Sequence, residues 1–355
     1  MLLWNRVWSL GVYSKNAIED EGDERMNSEI SAAKLSIEPS LEAIRNARAF
    51  LAKHFGATRL VAAPFLSERT GKRVYLKLET ELPTASFKVR GALYALAMRL
   101  KKGAVEEVIA SSTGNHGAAV AYAAKLLGVK ARIYLPAGCN PVKRGRIAAL
   151  GAEIIESGGG DLAAAFELAA EYAKRPGVYF LNDATDANLP AGPGTIGCEI
   201  LEQVPEVGAI IVPMGDTALI RGIAAAAKQL APRVKIIGVQ AEQAPAYFRS
   251  WKENTVVRTK TCDTIADGLA TRTPEVGNVR DIRSLVDEVV LVSEEQMLRA
   301  IETLLIEEHV LAEPAGAAST AALLGGSANF VENVVLVVSG ANISREVLRR
   351  AVGAA

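Results

Sequence analysis

From Val74 onward, short aliphatic runs alternate with Ala- and Leu-rich stretches, and this alternation constrains the fold more than any other feature of the chain. The runs are VYLKLE (74–79), EEVIASS (106–112), KARIYLP (130–136), AEIIES (152–157), VYFLND (178–183), GAIIVPM (208–214), KIIGVQ (235–240) and NVVLVVSG (333–340). Between them lie helical patterns such as AAVAYAAKLLG, FELAAEYAKR and LIRGIAAAAKQL. Continuous Val/Ile runs, unlike strictly alternating ones, belong to strands covered on both faces. Such strands are parallel and are joined by right-handed helical crossovers. The expected class is α/β, with open, twisted, mostly parallel sheets and flanking helices.

A chain of 355 residues exceeds the roughly 150 residues of one domain and predicts two domains, or one large unit with an insertion. Lys+Arg and Asp+Glu both total 40, so no basic field exists to hold nucleic acid or an anionic membrane, and a small-molecule site is expected. Cys139, Cys198 and Cys262 are too scattered for a zinc knuckle or a disulfide framework, which points to a reducing, cytoplasmic setting. The apolar opening from Met1 to Tyr13 is interrupted by Arg6 and lacks a cleavage site, so no signal peptide is expected. Residues 14–30 are polar and acidic, so residues 1–30 are expected to be a disordered or extra segment outside the fold, with Met26 a possible alternative start.

Ligands of open α/β sheets sit beyond the carboxyl ends of the strands. Three strand ends here run into polar turns: Ser112-Thr113-Gly114-Asn115-His116-Gly117, Gly215-Asp216-Thr217-Ala218, and Ser339-Gly340-Ala341-Asn342. Turns of this kind expose backbone N–H groups at a helix N-terminus and favour an anion, and three of them imply a shared ligand. Lys88 lies near the start of an apolar helix pattern, between Phe87 and Val89. Burial there is expected to lower its pKa, and such an amine can form a Schiff base and then act as a base, although a lone lysine is more often a snorkelling surface group.

Ser86-Phe87-Lys88-x-Arg90-Gly91-Ala92, the 112–117 turn, Gly194-Thr195-Ile196-Gly197, Ala266-Asp267-Gly268, Glu313-Pro314-Ala315-Gly316-Ala317 and Ser339-Gly340-x-Asn342 together resemble the fold-type II pyridoxal-phosphate enzymes. The nearest branch is the threonine/serine dehydratases and serine racemases. The resemblance implies the tryptophan-synthase-β-like fold, with a small domain at 108–184 inserted into a large cofactor-binding domain at 31–107 and 185–355. It also implies that Lys88 carries pyridoxal 5'-phosphate and abstracts the α-proton. Phe87 and Asn115 would contact the cofactor ring, Ser339 its pyridine nitrogen, and Gly215, Asp216, Thr217, Ala218 and Leu219 its phosphate. Ser112, Thr113, Gly114, Asn115 and His116 would hold the substrate carboxylate.

The sequence departs from that pattern in three places. Relatives carry a glycine tetrad where this chain has Gly215-Asp216-Thr217-Ala218. A carboxylate beside a phosphate is repelled, so Asp216 is expected to point away or to cap a helix N–H. Thr113 stands where racemases present a serine as the opposite-face proton donor, which favours elimination. Gln240 and Ala246 stand where metal-dependent relatives place acidic ligands, leaving only the offset Glu242, so no divalent-cation site is expected.

The expected activity is elimination of water from a β-hydroxy amino acid, giving a 2-oxo acid and ammonia. An amino-acid racemase, a β-replacement synthase and a non-catalytic ligand-binding relative are the alternatives. A homodimer or higher homo-oligomer is expected, without nucleic-acid or membrane partners. His54 and His309 read as helix residues without a catalytic part, and His116 as orienting the asparagine turn. Gly192-x-Gly194-x-x-Gly197 spells a dinucleotide fingerprint but lacks the strand-to-helix entry that such a site requires.

Overall fold

The computed structural model describes residues 38–112, 114–137, 141–158, 162–326 and 333–353. The segment expected to lie outside the fold, together with Met26, Thr113 and Cys139, falls outside the described residues.

Among the described residues, ten strands form two sheets. The larger is built from β1 (Leu60–Ala62), β2 (Arg73–Leu78), β7 (Ala209–Pro213), β8 (Lys235–Ala241), β9 (Glu288–Val292) and β10 (Asn333–Val338), in the spatial order β1-β2-β10-β7-β8-β9. Only β1 runs antiparallel. The smaller sheet has the order β5-β4-β3-β6, from β3 (Glu107–Ser111), β4 (Lys130–Pro136), β5 (Glu153–Ser157) and β6 (Val178–Phe180), all parallel. All eight aliphatic runs are strands. The two additional strands, β1 and β9, lie at opposite edges of the larger sheet.

Every residue of β10 is buried, and the strand inserts between β2 and β7 although it comes last in the chain. Its carboxyl end is tied to the segment before Lys88: the Phe87 N–H donates to the Ser339 carbonyl at 3.0 Å, and the Ala341 N–H to the Ala85 carbonyl at 2.9 Å. Residues from opposite ends of the fold's sequence are thereby held side by side at one strand end.

Three helices surround the same place. α3 (Lys88–Lys101) begins at Lys88, α7 (Ala191–Gln203) packs on it, and α8 (Ala218–Leu230) packs on α7. The Gly192, Gly194 and Gly197 spelling lies inside α7, not in a strand-to-helix turn. A Cβ on Gly192 would meet the Arg90 carbonyl oxygen at 2.4 Å, and one on Gly197 the Ala226 Cβ at 2.8 Å. These glycines let helices touch backbone to backbone, which removes the dinucleotide reading.

Arg90, in the first turn of α3, lies at the centre of a buried charge network. Its guanidinium donates to Glu79 at 2.8 Å and to Glu199 at 2.6 Å, while Lys77 Nζ donates to Glu199 at 2.6 Å. Two cations facing two carboxylates neutralise one another where water is excluded. The network joins β2, α3 and α7 and fixes the angle at which α3 presents Lys88.

Candidate active site

The carboxyl ends of β3, β6, β7 and β10 and the first turns of α3, α8 and α4 (Asn115–Leu127) surround a cavity of about 300 Å³. Lys88 enters it from the start of α3, with Nζ 5.4 Å from the centre of the Phe87 ring. Its partner was not among the residues singled out from the sequence. Lys88 Nζ donates to Asp183 Oδ2 at 2.6 Å, and Asp183 is carried by a turn that Asn182 fixes by accepting the Ala184 N–H at 2.9 Å. Burial pulls the Lys88 ammonium down, but Asp183, followed by Asp216 and Glu313, outweighs it and holds Lys88 above the ordinary lysine value. The expectation of a lowered pKa is therefore corrected: burial acts as expected, but an unforeseen carboxylate wins. Burial likewise pushes Asp183 up, but Lys88 and His116 hold it well below the usual carboxylate range.

Asn115 is the first residue of α4, and Gly114 is its cap. A side chain on Gly117 would meet the Ser112 carbonyl oxygen at 2.4 Å, so the turn can fold this tightly only with glycine there. Ser112, Gly114, Asn115 and His116 all line the cavity. Asn115 Nδ2 donates to Glu313 Oε1 at 2.6 Å, and Asn342 Nδ2 donates to Asn115 Oδ1 at 2.6 Å. Burial and Asp267 push Glu313 up to about 7. His116 Nε2 is 2.8 Å from the Leu181 carbonyl oxygen, which ties the asparagine turn to the end of β6, and burial lowers its pKa. His54 and His309 do not lie within helices: His54 follows the helix Leu41–Leu51, and His309 has a φ of 57° in the loop after the helix Glu294–Ile306.

Gly215, Asp216 and Thr217 lead from β7 into α8, whose first residues are Ala218 and Leu219, and all five line the cavity together with Ser339, which is 4% exposed. Thr217 adopts a φ of 67°, a conformation that side chains disfavour. Its Oγ1 is buried without a partner. Asp216 neither points away nor caps a helix N–H. It faces the cavity, with Oδ1 accepting from Thr271 Oγ1 at 2.9 Å, and burial and Asp183 push it up to about 6. The reason is local: a hydroxyl donor on the facing loop holds the carboxyl inside.

Gln240 is buried, and its Oε1 accepts the Phe248 N–H at 2.8 Å, so it braces a helix. Ala246 is also buried, whereas Glu242 is exposed. Ser344 caps the helix Arg345–Val352 through its hydroxyl, and Asn342 turns instead to Asn115.

A lysine at a helix start, an asparagine turn and an amide-rich turn around one cavity suit a ligand with an aldehyde, a ring and an anionic group. A family profile described as "Pyridoxal-phosphate dependent enzyme" matches residues 51–340. The chain is 36% identical over 311 residues to an L-threonine ammonia-lyase of Thermotoga maritima, covering 88% of this chain and 77% of that one. It is 37% identical over 294 residues to an L-threonine ammonia-lyase of Geobacter sulfurreducens, covering 82% and 73%. Among solved structures it resembles a threonine deaminase from T.th. with a TM-score of 0.81 at 33% identity, covering 86% of this chain and 99% of that one. A maize serine racemase superposes with the same TM-score at 28% identity, covering 89% and 97%.

Proposed function

The chain belongs to the pyridoxal-phosphate-dependent enzyme family, and from that premise we propose that it eliminates water from a β-hydroxy amino acid of the threonine or serine type. The products are a 2-oxo acid and ammonia. The residues present fit the cofactor. Thr217 Oγ1 is a buried hydroxyl without a partner at the start of α8, where the Ala218 N–H turns back to the Asp216 carbonyl at 3.0 Å and the next amides lack intrahelical acceptors, a donor set that suits a phosphate. Lys88, the one lysine lining the cavity among the described residues, supplies the amine.

Bound there, pyridoxal phosphate supplies an electron sink for the charge left when the α-proton departs. The rest is work for this chain's side chains. Lys88 holds the cofactor and takes the α-proton on its amine. Asp183, 2.6 Å away, fixes the direction of that amine and stabilises it once it is charged. Ser112, Gly114 and Asn115 orient the substrate carboxylate at the start of α4, with Thr113 between them in sequence. Phe87 packs beside the amine, and His116 braces the turn. Ser339, buried in the cavity lining, would offer a bound ring a neutral hydroxyl rather than a carboxylate, which would make the ring a weaker sink and favour elimination over transamination.

The observation that carries this reading is Lys88 paired with a carboxylate in a cavity that the β7-to-α8 turn, with its unpartnered Thr217 hydroxyl, also lines. The threonine ammonia-lyases among the relatives support the choice of reaction. We also assign 31–107 with 185–355 to a large domain and 108–184 to a small one, a division supported by the strands of the smaller sheet all lying between Glu107 and Phe180. Among the described residues no helix is long and apolar enough to cross a membrane. A cytoplasmic homo-oligomer, a dimer at least, accords with the scattered cysteines and balanced charge. Assaying ammonia and 2-oxo acid release from a panel of β-hydroxy amino acids tests the assignment. Equal release of both products from threonine or serine is expected, and no release from any member of the panel by cofactor-loaded protein would reject it.

A further inference from the structure

We propose that Asp216 serves the phosphate cradle as a neutral carboxylic acid, so that the protein takes up a proton when it closes on the cofactor phosphate. The inference rests on the cofactor assignment above and concerns one residue of the β7-to-α8 turn.

The turn cannot move Asp216 out of the way. A Cβ on Gly215 would meet the Gly268 carbonyl oxygen at 2.2 Å, so the turn is pressed against the loop that follows Asp267. From that loop the Thr271 hydroxyl donates to Asp216 Oδ1 at 2.9 Å, which leaves Oδ2 as the atom able to carry a proton. Beside Asp216 are the unpartnered Thr217 Oγ1 and the first turn of α8. A phosphate drawn to those donors comes to rest next to this carboxyl.

Charge then decides the protonation state. Lys88 is the one lysine or arginine lining the cavity among the described residues; it is paired with Asp183 until the cofactor captures its amine, and so leaves no cation over for Asp216. Arg221, further along α8, is committed to Asp281 at 3.0 Å. The other titratable groups whose charges act on Asp216, or feel its charge, are Glu275, Tyr247 and Cys262, none of them a cation. An Asp216 carboxylate would face the phosphate uncompensated, whereas the acid form offers it an O–H donor. Even with no phosphate beside it, Asp216 is already pushed up to about 6 by burial and Asp183.

The test is equilibrium dialysis of the holoenzyme against pyridoxal phosphate from pH 6 to 9, with wild type, Asp216→Asn and Thr271→Val compared. The cofactor's own ionisations cancel in the ratio of wild type to Asp216→Asn. That ratio of dissociation constants is expected to grow by up to about tenfold per pH unit on the alkaline side. Thr271→Val removes a donor that favours the anion and is expected to move the onset to higher pH. Calorimetric titration in buffers of different ionisation enthalpy should show wild type taking up a proton that Asp216→Asn does not. Parallel pH profiles for wild type and Asp216→Asn overturn the inference alone. Should Asp216→Asn not fold, an unmoved onset in Thr271→Val does the same. Failure of wild type to retain the cofactor at any pH overturns the cofactor assignment as well.

Discussion

Lys88 Nζ and Asp183 Oδ2 are 2.6 Å apart, so the amine that the cofactor must capture begins as one half of an ion pair. The two residues come from different sheets' surroundings, Lys88 from the helix after β2 and Asp183 from the turn after β6. Their contact fixes how the two parts of the cavity face each other.

Replacing Asp183 with Asn leaves burial as the dominant influence on Lys88, so its pKa falls. Each unit of that fall gives about ten times more free amine at a fixed pH. The rate of cofactor uptake by cofactor-free protein, followed by visible absorbance, should therefore shift its pH profile to lower pH. Turnover should meanwhile drop by roughly 10²-fold as the amine loses its orientation. Superimposable uptake profiles would show that Asp183 does not control Lys88.

Glu313 binds its proton up to about pH 7, where an ordinary glutamate has lost it near 4.5. The folded state then binds more protons than the unfolded one across that window, so stability falls as pH rises from about 4.5 to about 7. The difference is on the order of 3 kcal/mol. Asp216 acts in the same sense up to about 6, while Asp183, whose pKa is lowered, contributes stability that is lost only at more acidic pH. Thermal unfolding of cofactor-free protein should show this decline, and Glu313→Gln should flatten much of it. An unchanged pH dependence in the variant would assign the effect elsewhere.

Arg90→Met leaves Glu79 and Glu199 facing each other in a buried site with only Lys77 as counter-ion. Breaking such a network costs about 3–5 kcal/mol. Chemical denaturation should register that loss, and a change below about 1 kcal/mol would mean that water reaches the site.

Gln240 braces Phe248 and Ala246 carries no donor, so of the positions weighed from the sequence as cation ligands the exposed Glu242 is left as the one anionic oxygen source, too few for a hard cation. Dialysis against EDTA should leave activity nearly unchanged. Activity lost and restored only by Mg²⁺ or Ca²⁺ would contradict this.

The alternation of apolar runs was enough to read the parallel sheets, because strands buried on both faces carry their burial in their composition. β1, a short strand at a sheet edge, leaves no such trace. That Lys88, Asn115 and Ser339 line one cavity was legible because each lies in a short local motif beside a strand or helix end. Asp183 stands at the end of a run read as VYFLND, and the strand-end rule could have flagged it. What the rule cannot supply is that the turn after β6 faces the start of α3, a relation between sheets that no local pattern encodes. Asp216 stands out in the sequence as a misfit, but its orientation depends on Thr271, 55 positions away.

The most direct test of the account is to incubate cofactor-loaded protein with L-threonine or L-serine in D₂O. Ammonia, 2-oxo acid and the deuterated antipode are followed together, with Lys88→Ala as control. The account predicts equal amounts of ammonia and 2-oxo acid, formed faster than any antipode, and neither product nor visible cofactor absorbance with Lys88→Ala. Deuterated antipode appearing faster than 2-oxo acid, or full turnover by Lys88→Ala, would contradict it.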